Sequence, residues 1–286
     1  MIISINYADS QFEISRQYNT KTAYSKGKVD KVIEYSPSDL DEDFKKRNST
    51  ILSYTRGAGL WLWKPYIILD ALKKINEGDF LFYCDAGSYF VGDVRNLIDT
   101  LKISNQKIMP FEIPLLERQF TKKETFVIMD YSNYNDNQIC TGYILFKKCS
   151  KTVSFVEEWL MLMRDERLCS FKHFCPDIKE FDDFRAHRED QSVFSILCRK
   201  KELKVFRDPS NYGERPWMYG RNNFDVVLKK YPNSTYPKIL ISNRKMNPKR
   251  YMLKEFVMHY AWRLGIFNQT VCYKLHKVNR KPIIGY

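Results

Sequence analysis

The chain has 286 residues, of which 44% are hydrophobic and 15% aromatic, so it can bury a large core without disulfides. Its seven cysteines include no Cys-x-x-Cys pair, which argues against a zinc site and a disulfide framework and indicates a reducing compartment. The formal net charge of +13 favours an anionic partner, such as nucleic acid, anionic lipid or a phosphorylated substrate.

The first seven residues carry neither the charged leader nor the long apolar core of a signal peptide. No window holds the ~20 apolar residues that a membrane-spanning helix needs. We therefore expect a cytoplasmic protein, soluble or peripheral to a membrane. Nucleic acid is not expected as a partner, because the sequence contains no helix-turn-helix, zinc-finger or aromatic RNA-binding signature.

The amino-terminal residues predict the opening of a nucleotide-binding α/β unit. Residues 2–6 predict a first strand, and Asn6 and Tyr7 would lie at its carboxyl end, near a bound base. A plain edge strand is the alternative. Residues 10–30 predict a helix and a loop, and residues 31–35 predict the second strand.

A glycine-rich turn introduces the next helix. Residues 56–59 predict a flexible turn, and residues 64–75 have apolar side chains at helical spacing, with Pro65 suited to a first turn. Lys64 at this helix start and Arg56 could both reach a diphosphate. A solvated lysine is the alternative.

A buried strand that ends in an acid follows. Residues 80–83 are apolar or aromatic and predict a short strand, and Asp85, Ala86 and Gly87 follow it after Cys84. Ligands bind beyond the carboxyl ends of strands in open α/β sheets, and Gly87 lets the backbone approach a ligand. The alternative is a strand followed by an ordinary turn.

These two segments together resemble nucleotide-sugar glycosyltransferases with the GT-A fold, and most of all bacterial enzymes of capsule, lipopolysaccharide or glycan synthesis. In that family a Trp-Lys-Pro segment precedes a helix, and a strand ends in an Asp-x-Asp or Asp-Ala-Gly motif. The second acid of the commoner motif is usually a metal ligand, and Gly87 stands in its place here. The resemblance therefore leaves both a Mn²⁺ or Mg²⁺ requirement and metal independence open.

The middle of the chain carries two polar segments of interest. Residues 108–113 predict a strand, and the polar segment after it would meet the acceptor in the resembled enzymes, with a surface loop as the alternative. Further on, residues 143–146 predict an apolar strand headed by Thr141 and Gly142. This stretch resembles the donor-sugar segment of glycogenin-like transferases, which implies that Gln138, Thr141 and Gly142 line the donor.

Five consecutive polar residues precede a buried apolar helix at residues 192–197. Acids are favourable at a helix start, so a simple cap is the alternative. The resembled transferases carry an Asp-Gln or Glu-Asp motif here, facing the anomeric carbon of the donor. The resemblance implies that Asp190, or Glu189 in its place, is the general base or holds the donor sugar, with donor contacts from His187, Arg188 and Gln191.

The last part of the chain offers an acceptor site and a basic surface. Aromatic faces stack on sugars, so Trp217 and Tyr219, with Arg221, are acceptor candidates. His259 corresponds to a late histidine that helps hold metal and diphosphate in glycogenin-like enzymes, with Asp85 as the other metal ligand; a partly buried histidine is the alternative. Residues 244–286 are strongly basic and could dock on an anionic membrane.

The sequence thus predicts a GT-A-like α/β domain over residues 1–243, with a mostly parallel central sheet and the basic region 244–286 packed on it. The resemblance covers about residues 1–210. It implies transfer of a sugar from a nucleotide-diphosphate donor, with a UDP-sugar favoured, to a hydroxyl of a glycan or lipid-linked glycan in capsule or lipopolysaccharide synthesis. The alternatives are a nucleotidyltransferase-like enzyme and a noncatalytic module that binds glycan or nucleic acid.

Overall fold

The computed structural model describes residues 1–222, 225–243, 248–266 and 283–284. The strands are β1 (Ile2–Tyr7), β2 (Lys31–Tyr35), β3 (Phe80–Cys84), β4 (Ser88–Phe90), β5 (Ile108–Leu116), β6 (Asn137–Lys147), β7 (Phe206–Arg207), β8 (Val227–Leu228), β9 (Leu240–Ser242) and β10 (Ile283–Ile284).

The helices lie between these strands, with short 3₁₀ segments at Pro37–Asp39 and Pro216–Asn222. They are α1 (Glu13–Ser25), α2 (Glu42–Arg47), α3 (Ser49–Leu52), α4 (Gly57–Leu60), α5 (Trp63–Lys74), α6 (Arg95–Ser104), α7 (Glu117–Phe120), α8 (Lys123–Ile128), α9 (Ser150–Met163), α10 (Glu166–Cys169), α11 (Glu189–Lys200), α12 (Asn211–Glu214) and α13 (Pro248–Arg263).

Six strands form the central sheet in the order β2-β1-β3-β6-β5-β7. The pairings β1–β2, β1–β3 and β5–β7 are parallel, whereas β6 runs antiparallel to both of its neighbours, β3 and β5. Three of the five pairings are therefore parallel. The predicted α/β class with a mostly parallel central sheet is confirmed.

Hydrophobic cores cover both faces of this sheet. Leu81 and Tyr83 of β3 belong to one core, which also contains residues of α5, α9 and α11. Phe82 and Cys84 belong to the other core, which contains residues of α6. Because side chains alternate along a strand, burial on both faces explains why β3 is apolar at every position.

Two polar segments are more deeply built into the fold than their composition indicates. Strand β6 begins at Asn137 and not near Tyr143, because its polar first half pairs with β5. The alternative of a surface loop after β5 is wrong for Glu117 and Lys122, whose side chains are fully buried. A prediction based on runs of apolar residues could not detect either feature, because both segments are polar.

Helix α13 lies against the segment that follows α12. Glu255 of α13 forms a buried ion pair with Arg215, and the rings of Trp262 and Trp217 are 6.1 Å apart. The predicted boundary at residue 243 stays a prediction, and much of the region after it lies outside the described residues. None of the described helices combines the length and apolar character needed to cross a membrane.

Candidate functional site

The candidate site is centred on the side chain of Lys64, in the first turn of α5. Its Nζ lies 2.7 Å from Asp190 Oδ2 and 3.7 Å from Asp85 Oδ1, and it donates to the carbonyl oxygen of Thr141 at 3.2 Å. Only 2% of the Lys64 surface is exposed. The structure thus brings together four predicted site residues from α5, α11, β6 and the end of β3.

The charges at this point are strongly coupled. Burial by itself lowers the pKa of Lys64, but the carboxylates of Asp190 and Asp85 more than offset it, so the pKa is raised. Burial also raises the pKa of Asp190, and the nearby Lys64 opposes that shift. The Lys64 ammonium thus interacts with Asp190, Asp85 and Thr141. The predicted contact between Lys64 and a diphosphate would require one of these interactions to break.

Asp85 is the more open of the two acids, with 44% of its side chain exposed. The hydroxyl of Tyr83 donates to Asp85 Oδ1 at 2.5 Å, and the backbone N–H of Asp85 donates to the Gly142 carbonyl at 2.7 Å. A Cβ on Gly142 would lie 3.2 Å from Asp85 Oδ2. Gly142 therefore leaves room for the Asp85 carboxylate.

Glu189 faces Arg56 and not Lys64. The two Glu189 oxygens accept from Nε and Nη2 of Arg56, the second at 3.3 Å. Burial raises the pKa of Glu189 and the guanidinium opposes this. The Arg56 side chain remains 54% exposed, so a cation next to the buried acids is open to solvent.

His187 and Arg188 support the start of α11 from the side. His187 Nδ1 accepts from the backbone N–H of Lys122 at 3.3 Å, and its Nε2 donates to the carbonyl of Leu168 at 2.8 Å. Burial lowers the pKa of His187 to about 3, so the ring is neutral. The Arg188 guanidinium lies 4.5 Å from the centre of the Phe120 ring.

The residues predicted at the end of β1 are buried behind the site. Asn6 Nδ2 donates to Asn19 Oδ1 at 2.9 Å, and Asn19 in turn donates to the carbonyl of Ser88 at 2.8 Å. The Tyr7 ring stacks on Trp63 with centres 3.8 Å apart. These contacts hold the turn after Asp85 and the start of α5 in place. Ala86 and Gly87 lie in that turn, where Ala86 is buried and the Gly87 carbonyl accepts from Asn243.

Sequence reasoning missed Asp208, which is buried beside the site. It accepts hydrogen bonds from the hydroxyl of Tyr143 at 2.6 Å and from the backbone N–H of Ser210 at 2.7 Å. Burial raises the pKa of Asp208, and these hydrogen bonds oppose the shift. Asp208 follows the short strand β7, which is the same pattern of strand and acid that identified Asp85.

The acceptor candidates are separated in the structure. The Tyr219 hydroxyl lies 3.5 Å from Asp208 Oδ2, whereas Trp217 packs near Trp262 of α13. The side chain of Arg221 lies outside the described part of the chain. Tyr219 is therefore the candidate that joins the group around Asp208.

The predicted metal ligands do not form a recognisable metal centre. His259 Nδ1 lies 3.8 Å from Glu214 Oε2, and both residues line a cavity of about 570 Å³ with Trp262 and Arg263. Among the described residues, no cluster of three or more His, Cys, Asp or Glu side chains could hold an ion. The acids of the candidate site, Asp85 and Asp190, both lie against the Lys64 ammonium, a set that does not fit Mn²⁺ or Mg²⁺, which take several oxygen ligands.

No protein-family model matches the sequence, and no curated protein matches it. Similar solved structures include mouse xyloside xylosyltransferase 1, with 10% identity over 85% of this chain and 97% of that chain and a TM-score of 0.47. Galactosyltransferase LgtC, solved with donor and acceptor sugar analogues, has 12% identity over 86% of this chain and 87% of that chain, with a TM-score of 0.46. Both of these proteins are glycosyltransferases.

Proposed function

We propose that the protein is a glycosyltransferase, which moves a sugar from a nucleotide-diphosphate donor to a hydroxyl of an acceptor. The observation that carries this proposal is the meeting of Asp85 and Asp190 at the Lys64 ammonium. The sequence resemblance selected these two acids separately, as donor-binding and catalytic residues. Their convergence on one buried cation supports a common site.

The two acids have different environments and are proposed to have different roles. Asp85 is exposed enough to accept a hydrogen bond from a hydroxyl of the ribose or of the sugar. Asp190 is buried against Lys64, so it is suited to hold the donor sugar or to act as the base for the acceptor hydroxyl. Lys64 keeps both acids in place as a positioning residue.

Positive charge for the departing diphosphate comes from the chain in this proposal. Arg56 is fixed at one edge by Glu189 while its side chain remains accessible, and a guanidinium suits phosphate oxygens. Such charge stabilises the leaving group as negative charge develops on it. No step is assigned to a divalent cation.

The proposal also covers the donor, the acceptor and the location of the enzyme in the cell. The donor is a UDP-sugar, and the acceptor is a glycan or lipid-linked glycan of a capsule or lipopolysaccharide, bound near Tyr219. The enzyme works at the cytoplasmic face of a membrane. Helix α13 supports this location, because it exposes basic Lys254 and apolar side chains, among them Leu253, Phe256 and Val257.

The test of the proposed function is turnover of nucleotide sugars by the full chain. UDP-glucose, UDP-galactose, UDP-xylose, UDP-N-acetylglucosamine and GDP-mannose are supplied one at a time, and release of nucleoside diphosphate is measured with water as the hydroxyl that takes up the sugar. We expect release with one of these donors, also in the presence of a chelator, because the proposal assigns stabilisation of the diphosphate to Arg56.

The matched variants for this assay are Asp190→Asn and Asp99→Asn. Asp99 is an exposed acid on α6, so its variant should keep native turnover, whereas Asp190→Asn should lose it. Binding of a donor without release of nucleoside diphosphate would contradict the proposed enzymatic activity and would support a noncatalytic binding module. Complete loss after chelation, restored by Mn²⁺, would contradict the role given to the chain's own cations.

A further inference from the structure

Three buried polar side chains connect the interior of the protein to the first turn of α11. Glu117 and Gln138 are fully buried, and Gln191, next to Asp190, keeps 9% of its surface exposed. Gln138 Nε2 donates to Glu117 Oε2 at 3.3 Å, and Gln191 Nε2 donates to Gln138 Oε1 at 2.7 Å. A continuous chain of hydrogen bonds therefore runs from Glu117 to Gln191, the residue that follows Asp190 in the sequence.

The surroundings of Gln138 determine which way its amide points. Its Nε2 lies 3.2 Å from the carbonyl oxygen of Phe120 and 3.1 Å from Thr121 Oγ1. The Thr121 hydroxyl itself donates to Glu117 Oε2 at 2.7 Å, so its oxygen accepts from Gln138. A carbonyl can only accept, so this end of Gln138 must be the NH₂ group. The carbonyl oxygen of Gln138 then faces Gln191.

Gln138 fixes the orientation of the Gln191 side-chain amide. Because Gln138 offers only an acceptor, Gln191 must donate its NH₂ group across the 2.7 Å contact. The reversed amide would bring two carbonyl oxygens together in a buried place without a hydrogen bond, which is unfavourable. The carbonyl oxygen of Gln191 is therefore directed away from Gln138.

This polarity does not depend on the charge of Glu117. Burial raises the pKa of Glu117 to about 7. Hydrogen bonds from Ser195 and Thr121 and the charge of Arg199 oppose this shift. Among the described residues, the titratable groups of Cys198 and Tyr131 also interact with Glu117. The Phe120 carbonyl does not titrate and accepts from Gln138 whether Glu117 is charged or neutral.

We propose that Gln138, held by Glu117 and the Phe120 carbonyl, positions Gln191 so that Gln191 presents a hydrogen-bond acceptor to a hydroxyl of the bound sugar. This inference rests on the proposed function. Gln138 is a positioning residue in it and does not touch the sugar, because its side chain is fully buried. The sequence prediction had placed Gln138 in contact with the donor.

The first test compares donors that can and cannot donate a hydrogen bond. The UDP-sugar that is turned over in the donor panel is compared with analogues in which one hydroxyl is replaced by fluorine. At one position of the sugar, replacement of the hydroxyl by fluorine should reduce the turnover of native protein about 3- to 10-fold more than that of the Gln138→Leu variant. The reason is that Gln191 is free to rotate in the variant. An equal fluorine penalty in both proteins at every position would overturn the proposal.

Gln119→Leu is the matched control for this test. Gln119 is also a buried glutamine, but its amide donates to Asp183 and Asp225 and not to this chain of hydrogen bonds. The Gln119→Leu variant should keep the native fluorine penalty. Gln138→Met, which keeps the length of the side chain, replaces Gln138→Leu if leucine prevents folding.

The second test does not need activity. Hydrogen exchange of the Gln191 side-chain NH₂ group is followed by NMR, with the signal assigned by its loss in Gln191→Leu. Exchange should be slow in native protein and in Gln119→Leu, and fast in Gln138→Leu. Equal exchange rates in native protein and Gln138→Leu would overturn the positioning role, whereas a failure of all donors with the expected exchange pattern would count only against the proposed function.

Discussion

At the scale of single residues, the account depends on one buried ammonium shared by two acids. Lys64 and Asp190 are both almost fully buried, and a buried ion pair is costly to break because the remaining charge has no partner. The side chain of Asp85 is more exposed, at 44%. The stability of this group therefore depends chiefly on the contact between Lys64 and Asp190.

We predict that Lys64→Met lowers the free energy of unfolding by roughly 3–5 kcal/mol, because it leaves Asp190 buried without a cation. The double variant Lys64→Met, Asp190→Asn should recover part of this loss, since the uncompensated charge is gone. Chemical denaturation of both variants measures the effect.

Lys102→Met is the control for this prediction. Lys102 forms an exposed ion pair with Asp99, so its loss should change the free energy of unfolding by less than about 1 kcal/mol. If Lys64→Met were as harmless as Lys102→Met, the buried ion pair would not have the importance given to it here.

Residue types at strand ends and helix starts were enough to select Asp85, Lys64 and Asp190 from the sequence. Their pairing could not be predicted, because it depends on how α5 and α11 cross the end of β3. Tyr83 was assigned to the core and is indeed buried, but its hydroxyl also orients Asp85. Asp208 was not selected from the sequence, although it follows a strand as Asp85 does.

At the scale of elements, the segment between Arg56 and Trp63 has an unusual backbone. Five consecutive residues have positive φ angles: Gly57 (61°), Ala58 (49°), Gly59 (96°), Leu60 (53°) and Trp61 (58°). Such angles are unfavourable for residues with a side chain, by roughly 1–2 kcal/mol each. This strained segment connects Arg56 to the helix that carries Lys64, so its shape positions both cations.

We predict that Gly59→Ala destabilises the protein and reduces turnover. A Cβ at this position would meet the Leu52 side chain at 2.7 Å and its Cα at 2.9 Å, so the segment would have to shift. The cost should be roughly 1–3 kcal/mol beyond that of the φ angle itself. Thermal unfolding and the donor assay measure the two effects.

Gly78→Ala is a control that tests a positive φ angle without a steric clash. Gly78 also has a positive φ angle, of 86°, but a Cβ there would meet nothing within 4 Å. We expect this control to lose some stability and to keep native turnover. A similar loss of turnover in both variants would count against a positioning role for the 57–61 segment.

The order of elements was predictable because most strands and helices have clear apolar patterns. The start of β6 was not, since its first residues are polar and become buried only through pairing with β5 and packing on α11. The same reason applies to Glu117, which is buried by contacts with Thr121, Gln138 and Ser195. Burial of polar groups is decided by partners from distant parts of the chain.

At the scale of the whole molecule, the net charge of +13 and the exposed surface of α13 suit an anionic membrane. Each basic residue near such a surface contributes on the order of 1 kcal/mol of binding free energy. We predict that the protein binds vesicles containing phosphatidylserine and that moderate salt releases it, because the attraction is screened. Co-sedimentation with vesicles at several salt concentrations measures this.

Two charge reversals provide the control for membrane binding. Lys254→Glu on α13 should weaken binding by at least about fivefold, whereas Lys102→Glu on α6 should have a smaller effect. Equal binding to neutral and anionic vesicles, or equal effects of the two variants, would contradict the membrane role of α13.

The central claim is that Asp85 and Asp190 form one sugar-transfer site around Lys64. The most direct measurement is the rate of nucleoside diphosphate release from the best donor by native protein and by Asp85→Asn, with thermal unfolding of both followed in parallel. We predict that Asp85→Asn lowers this rate by on the order of 100-fold with little change in unfolding temperature. A folded Asp85→Asn variant that releases nucleoside diphosphate at nearly the native rate would contradict it.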